Sequence, residues 1–173
     1  RKGSAHEGGV RVPLFMRYPA KVKPNTVVKP ITGHIDVLPT LMEYCGVKQY
    51  KTKPLDGKSL VPLISGDQAA WPSRTLFTAW GGTELKSSKK ALRTERWRAV
   101  EERRGWELYD MKNDPNQTQN LAKSEPKRLA KFKLQFEKWF MDATKNGFDS
   151  VSIHVGHEGR DEVVLEGHYA YLH

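Results

Sequence analysis

The chain has 173 residues, enough for one domain or one and a fraction. Hydrophobic residues make up 38% and charged residues 28%, a balance that excludes neither a fold nor a core but argues against disorder, and no apolar run approaches the roughly 18 residues of a membrane-spanning helix. The net charge of +9 suits a polyanionic partner, whether sulfated glycan, nucleic acid or membrane surface, and equally a solvated basic surface with no partner, while the single cysteine, Cys45, excludes an internal disulfide framework and a cysteine-based zinc site.

The chain opens on Arg1-Lys2-Gly3-Ser4, with no initiator Met and no signal-peptide core, so the natural polypeptide is expected to begin upstream. Val10–Tyr18 is β-rich, closes at Pro19 and is predicted to be a mostly buried strand. Residues 20–30 are rich in Lys, Pro and Asn and read as loop. Asp36 is a candidate N-cap for a helix with Val37, Leu38, Leu41, Met42 and Cys45 at helical spacing, Pro39 in its first turn and Gly46 as its stop, which makes Cys45 a buried packing residue. A short helical turn is expected after Ser59, through Leu60, Leu63 and Ile64.

The pattern then changes. Arg74–Trp80, Lys90–Thr94, Trp97–Val100 and Trp106–Asp110 are short β-type runs separated by turns, the signature of an antiparallel meander. Asn113-Asp114-Pro115-Asn116 is a turn. The clearest helix runs from Pro126 to Gly147, with Leu129, Phe132, Phe136, Trp139 and Phe140 on one face and Lys127, Lys131 and Lys138 on the other. The aromatic stripe is expected to pack on the meander, and the lysine face is either solvated or a polyanion contact. Val151–Val155 and Glu162–Leu165 are two further β-type runs. The first piece is too short to cover a hydrophobic strand on both faces, which implies an N-terminal body beyond this chain.

His154, His157, Glu158, Asp161, His168 and His173 form the densest group of potential ligands, but their spacing fits no closed zinc pattern, and no metal site is assigned within the chain. Phosphate-loop, dinucleotide and Gly-x-Ser-x-Gly patterns are absent. Lys2-Gly3-Ser4-Ala5-His6-Glu7-Gly8-Gly9-Val10-Arg11-Val12-Pro13 is different. It sets a cation, an imidazole and a carboxylate on a glycine-rich loop ahead of a predicted strand, where the backbone can approach a ligand and an ammonium can act on an oxyanion as a point charge. The same residues also suit a surface loop.

This loop resembles the Lys-Gly-x-x-x-Glu-Gly-Gly-x-Arg-x-Pro segment of the type I sulfatases, in the alkaline-phosphatase superfamily. His34-Ile35-Asp36-Val37-Leu38-Pro39-Thr40-Leu41, Leu55-Asp56-Gly57-Lys58-Ser59-Leu60, Ala91-Leu92-Arg93-Thr94-Glu95-Arg96-Trp97, Glu107-Leu108-Tyr109-Asp110 and Asn113-Asp114-Pro115 followed by Asn120-Leu121-Ala122 are similar to further blocks of that family, in family order, over roughly residues 1–145. The resemblance implies an α/β fold: residues 1–68 as the end of an alkaline-phosphatase-like catalytic domain, and residues 69–173 as a C-terminal subdomain with a four-stranded antiparallel sheet, a helix at about 126–146 and a tail.

It further implies a hydrolase of sulfate esters whose nucleophile is a formylglycine made from a Cys or Ser, with calcium held by acidic and amide residues. Both belong upstream of Arg1. Ala70-Trp71-Pro72-Ser73-Arg74 carries only the tail of the nucleophile motif, since Ala70 has no nucleophilic atom. Lys2 matches the family's sulfate-contacting lysine and is the expected catalytic and substrate-binding residue; His6 is a second expected substrate contact. Glu7 and Arg11 are expected to pair within the loop, and His34 to cap or pack at a helix start. The implied partners are a sulfated small molecule or glycan and the N-terminal part of the same protein, with no nucleic acid and no membrane span. The implied compartment is periplasmic, secreted or lysosome-like if the full protein carries a signal peptide. Asn116-Gln117-Thr118 is a glycosylation acceptor only in a chain secreted by a eukaryote. Two alternatives stand beside this reading: a phosphoesterase or phosphonate hydrolase of the same superfamily, and a non-catalytic module that binds polyanions.

Overall fold

The computed structural model describes residues 3–48, 54–67, 71–80, 85 and 89–147. In chain order the elements are a single turn α1 (Glu7–Val10), a 3-10 turn (His34–Asp36), α2 (Val37–Tyr44), α3 (Val61–Ile64), strands β1 (Leu76–Trp80), β2 (Lys89–Arg93), β3 (Trp97–Glu102) and β4 (Gly105–Asp110), and the long helix α4 (Pro126–Thr144).

The four strands form one antiparallel sheet in the order β1-β2-β3-β4, the meander expected from the sequence. Its register aligns Phe77 with Leu92, Leu92 with Ala99 and Ala99 with Leu108, so a row of apolar side chains crosses one face of all four strands. Helix α4 covers that row. Leu129 and Phe132 pack on Leu92, Ala99 and Leu108, all with 8% exposure or less. Phe136 is fully buried, and Phe77 stacks on Trp139 with ring centroids 4.9 Å apart. Pro126 starts the helix at a position where its missing N–H costs nothing. The β3–β4 connection is the tight turn Arg103-Arg104, closed by Gly105 at φ +81°.

The opposite face of the sheet is covered by the N-terminal segment. Ala5 packs on Ala91 and Val100, each 1% exposed or less. Alongside lies a hub built on Asp36, whose side chain is wholly buried. Its carboxylate accepts Gly33 N (2.8 Å), Lys58 N (2.8 Å) and the Arg74 guanidinium (2.8 and 2.9 Å). Thr40 donates to the Asp36 carbonyl and accepts Leu60 N at 2.8 Å. These bonds tie α2 to the segment before α3.

Three expectations need correction. Val10–Tyr18 forms no strand, and Val12, Leu14 and Phe15 are exposed at 76%, 56% and 90%. β-propensity measures fit to a pleated, half-buried surface, and no strand of the four-stranded sheet pairs with this segment. Asp36 does stand at the N-cap position of α2, but its side chain makes no capping bond to that helix and is instead the hub of the cluster just described. Cys45 is exposed, because α2 buries Thr40 and turns Leu38 and Leu41 outward. The boundary near residue 68, and the β-type runs Val151–Val155 and Glu162–Leu165, lie outside the described residues.

Candidate active-site loop

Lys2 lies outside the described residues, and the structure begins at the residue that follows it. Gly3 adopts φ +82°, a conformation open to glycine, and a Cβ there would stand 3.2 Å from the Trp80 ring. Lys89 donates its Nζ proton to the Gly3 carbonyl at 2.6 Å and sits 4.5 Å over the same ring. The main chain next to Lys2 is therefore clamped between β1 and β2.

From there the loop is fastened residue by residue. Glu102 on β3 accepts Ser4 Oγ at 2.8 Å and Ala5 N at 2.6 Å. Burial pushes the Glu102 carboxyl up, but these two hydrogen bonds, with His6 and Lys89 nearby, hold it below the usual carboxylate range. Glu7 accepts Arg98 NH1 at 2.7 Å, with Arg93 Nε 3.7 Å away, and Arg98 NH2 donates to the Ala5 carbonyl. The Arg98 side chain is 3% exposed, and burial pushes its pKa down to about 10 against the opposing charge of Glu7. Glu7 N in turn donates to Gln117 Oε1 at 2.8 Å.

His6 is held at both ring nitrogens: Nδ1 is 3.0 Å from Ser4 Oγ, and Nε2 is 2.8 Å from Glu107 Oε2. Tyr109 donates its hydroxyl proton to the same Glu107 oxygen at 2.9 Å, and burial followed by this bond raises the phenol pKa. The ring is half-buried, with its polar atoms turned toward β3 and β4. Glu7 pairs with Arg98 and not with Arg11, which is exposed; His34 is exposed as well. A cleft of about 320 Å³ opens beside α1, lined by Glu7, Gly8, Arg11, Pro115, Asn116 and Gln117. Gln117 takes φ +55°, and its Nε2 is buried with no hydrogen-bond partner among the described residues. A smaller cleft of about 140 Å³ lies on the α4 side of the sheet, remote from the loop.

The anchors Lys89, Arg98, Glu102, Glu107 and Gln117 sit 86 to 110 residues from the groups they hold. Sequence reasoning missed them. One signal was present: in Trp97–Glu102, Arg98 and Glu102 share a strand face with the apolar Val100, which is anomalous unless a polar segment docks there. Among the described residues no group of three or more His, Cys, Asp or Glu side chains could hold a metal ion. The histidine and carboxylate group at 154–173 lies outside them. No helix among the described residues is long and apolar enough to cross a membrane.

What this arrangement does is hold residues Gly3 to Glu7 against the sheet through side chains of β2, β3 and β4. The chain is similar to known proteins. A sulfatase of Formosa agariphila is 33% identical over 141 residues, covering 73% of this chain and 25% of that protein. The steryl-sulfatase of Mus musculus is 41% identical over 76 residues, covering 44% of this chain and 12% of that one. The crystal structure of Ps i-CgsB superposes with a TM-score of 0.72 at 25% identity, over 82% of this chain and 31% of that chain. The chain thus spans about a third or less of the length of the proteins it matches. A family model described as N-sulphoglucosamine sulphohydrolase, C-terminal, matches residues 2–144, and the chain belongs to that family, the C-terminal part of a sulfatase of the alkaline-phosphatase superfamily.

Proposed function

We propose that the protein carrying this chain hydrolyses a sulfate ester of a sulfated carbohydrate, and that Lys2 sets its ammonium against the transferring sulfuryl group. The observation that carries this reading is the loop itself: Lys2 directly precedes a segment pinned to the sheet through Gly3, Ser4, Ala5, His6 and Glu7. A flexible surface lysine would lose conformational freedom on meeting a substrate. One on a pinned backbone meets it with much of that loss already incurred, and an ammonium acts on sulfate oxygens as a compact point charge. A carbohydrate is preferred to a sterol because the +9 surface suits a multiply sulfated polymer, and the matched family is described by an aminosugar. His6 serves the site by bracing the loop on Glu107 and Ser4, and its exposed ring edge is the part open to a substrate.

On this reading a formylglycine would supply the nucleophile and calcium would offset sulfate charge, both held by residues upstream of Arg1. Among the described residues no cluster of His, Cys, Asp or Glu side chains fits that ion.

The test is sulfate-ester turnover by the complete protein, compared with Lys2→Ala. Loss of one such electrostatic contact is expected to lower kcat by about a hundredfold to a thousandfold, while the fold is retained. The isolated 173-residue chain is expected to show no turnover. Wild-type kcat in Lys2→Ala, or turnover by the isolated chain, overturns the assignment. Faster cleavage of a phosphonate monoester than of any sulfate ester would move the protein to the sister activity of the superfamily.

A further inference from the structure

Helix α4 turns Leu129, Phe132, Phe136 and Phe140 into the core. At about 100° per residue, Lys127, Lys131, Lys138 and Lys145 all fall within about 40° of one another on the opposite side. All four are exposed. Lys145 pairs with Asp142 at 2.8 Å, whereas Lys127, Lys131 and Lys138 have no acidic partner among the described residues. The row extends about 27 Å, and its last two intervals are each about 10 Å along the axis. Leu134 and Met141, exposed at 68% and 64%, lie beside it. At the N-terminal end Arg128 and Arg96 flank the Trp97 ring, their guanidinium carbons 4.2 and 5.0 Å from its centroid, and each is paired with a carboxylate, Glu125 at 3.2 Å and Asp110 at 2.8 Å, so they add little free charge to the row.

We propose that this lysine row is a binding surface for a linear sulfated glycan, on the side of the sheet away from the Gly3–Arg11 loop. The choice of occupant rests on the carbohydrate reading above; the surface itself rests on geometry. Three unpaired like charges aligned along a rod, about 6 and 10 Å apart, are complementary to a linear polymer that carries several anions. Lysines, with flexible stems and point charges, suit sulfates whose orientation varies along a chain. Leu134 and Met141 offer apolar area for the C–H faces of sugar rings. The row has no aromatic side chain on which bases could stack, which disfavours single-stranded nucleic acid. Two isolated apolar residues are too few to seat the helix in a bilayer, since its wide apolar face is spent on the core.

The experiment titrates the full chain with a fluorescent heparin oligosaccharide at several salt concentrations, with desulfated heparin as control. Lys127→Glu/Lys131→Glu/Lys138→Glu is expected to weaken binding about tenfold or more and to flatten its salt dependence, as loss of charge contacts does. The Lys→Gln triple falls between, and Arg103→Glu/Arg104→Glu at the exposed β3–β4 turn keeps wild-type affinity. Circular dichroism confirms that α4 is intact in each variant. The proposal is overturned if the lysine triple binds normally, if the arginine pair loses as much, if desulfated heparin binds equally, or if phosphatidylserine vesicles or duplex DNA bind more tightly than heparin. In the complete protein, turnover of a small sulfate ester should be untouched by the lysine triple. That readout separates failure of this surface from failure of the sulfatase reading.

Discussion

Glu7→Gln tests how the loop is held. The substitution keeps the shape of the side chain and removes the charge that faces Arg98. Arg98 is 3% exposed and has Glu7 as its one ion-pair partner among the described residues. Breaking a fully buried pair from one side costs about 3–5 kcal/mol, because the remaining charge is left without compensation. Glu7 is one-fifth exposed, and Arg98 NH2 keeps its bond to the Ala5 carbonyl, so about 2–3 kcal/mol is expected. At roughly 3 °C per kcal/mol for a chain of this size, the melting temperature falls by about 6–9 °C. Arg98→Met removes the nearer and more buried of the two cations that face Glu7, so in that background Glu7→Gln should cost under about 1 kcal/mol, what remains of the longer pair with Arg93 at 3.7 Å. The coupling between the two positions is then at least about 1 kcal/mol. Urea unfolding followed by tryptophan fluorescence measures all four corners of the cycle. Equal costs of Glu7→Gln in both backgrounds, or a cost below about 0.5 kcal/mol in the wild type, would refute the buried-pair argument.

Two further predictions use the same unfolding assay. A Cβ on Gly57 would lie 1.8 Å from the Ile35 carbonyl oxygen, so Gly57→Ala must displace backbone and should cost more than about 3 kcal/mol; Gly46, at φ +66° with nothing within 4 Å, should cost about 1 kcal/mol on the same change. Similar losses at the two sites would contradict the packing of Leu55–Leu60 on the 3-10 turn. The second concerns pH. The folded-state pKa of Glu102 is depressed, so its stabilisation is present above the unfolded value of about 4.3 and is lost as pH falls through the folded value. The melting-temperature gap between wild type and Glu102→Gln should therefore be widest near neutrality and shrink toward pH 3. A gap that does not change with pH would show that Glu102 does not hold the loop through its charge.

How much of this was legible in the sequence depended on how local the determinants are. The meander and α4 were readable because each hairpin brings neighbours in sequence together and the Leu129–Phe132–Phe136–Phe140 spacing is a property of one helix. Val10–Tyr18 has the composition of a strand, but a strand is completed by a partner, and none in the four-stranded sheet of this chain pairs with it. The same reason turns Leu38 and Leu41 outward on a helix whose apolar spacing reads as buried. At the site, Glu7 was rightly read as fixing the loop, but its cation lies on β3, 91 residues on, and not at the neighbouring Arg11. His6 is braced by Glu107 and Ser4, of which only Ser4 is nearby in sequence.

The long-range bonds also explain why separated blocks of resemblance occur in one chain. Glu7 of the glycine-rich loop receives Arg98 and donates its N–H to Gln117, which sits in the turn that Asp114 closes by accepting Thr118 N at 3.0 Å and Gln119 N at 2.8 Å. Glu107 of the Glu-Leu-Tyr-Asp block holds His6, and Asp110 of that block accepts Arg96 and Asn113. Asn120 accepts Leu108 N and Ala122 N, fastening the segment before α4 to β4. Motifs about a hundred residues apart are therefore parts of one brace. Its apolar side is locked by α4, and its polar side grips the backbone that follows Lys2. If Lys2 acts as proposed, the small sheet would contribute to catalysis without touching substrate, because electrostatic stabilisation of a transferring sulfuryl group depends on charges that are already in place.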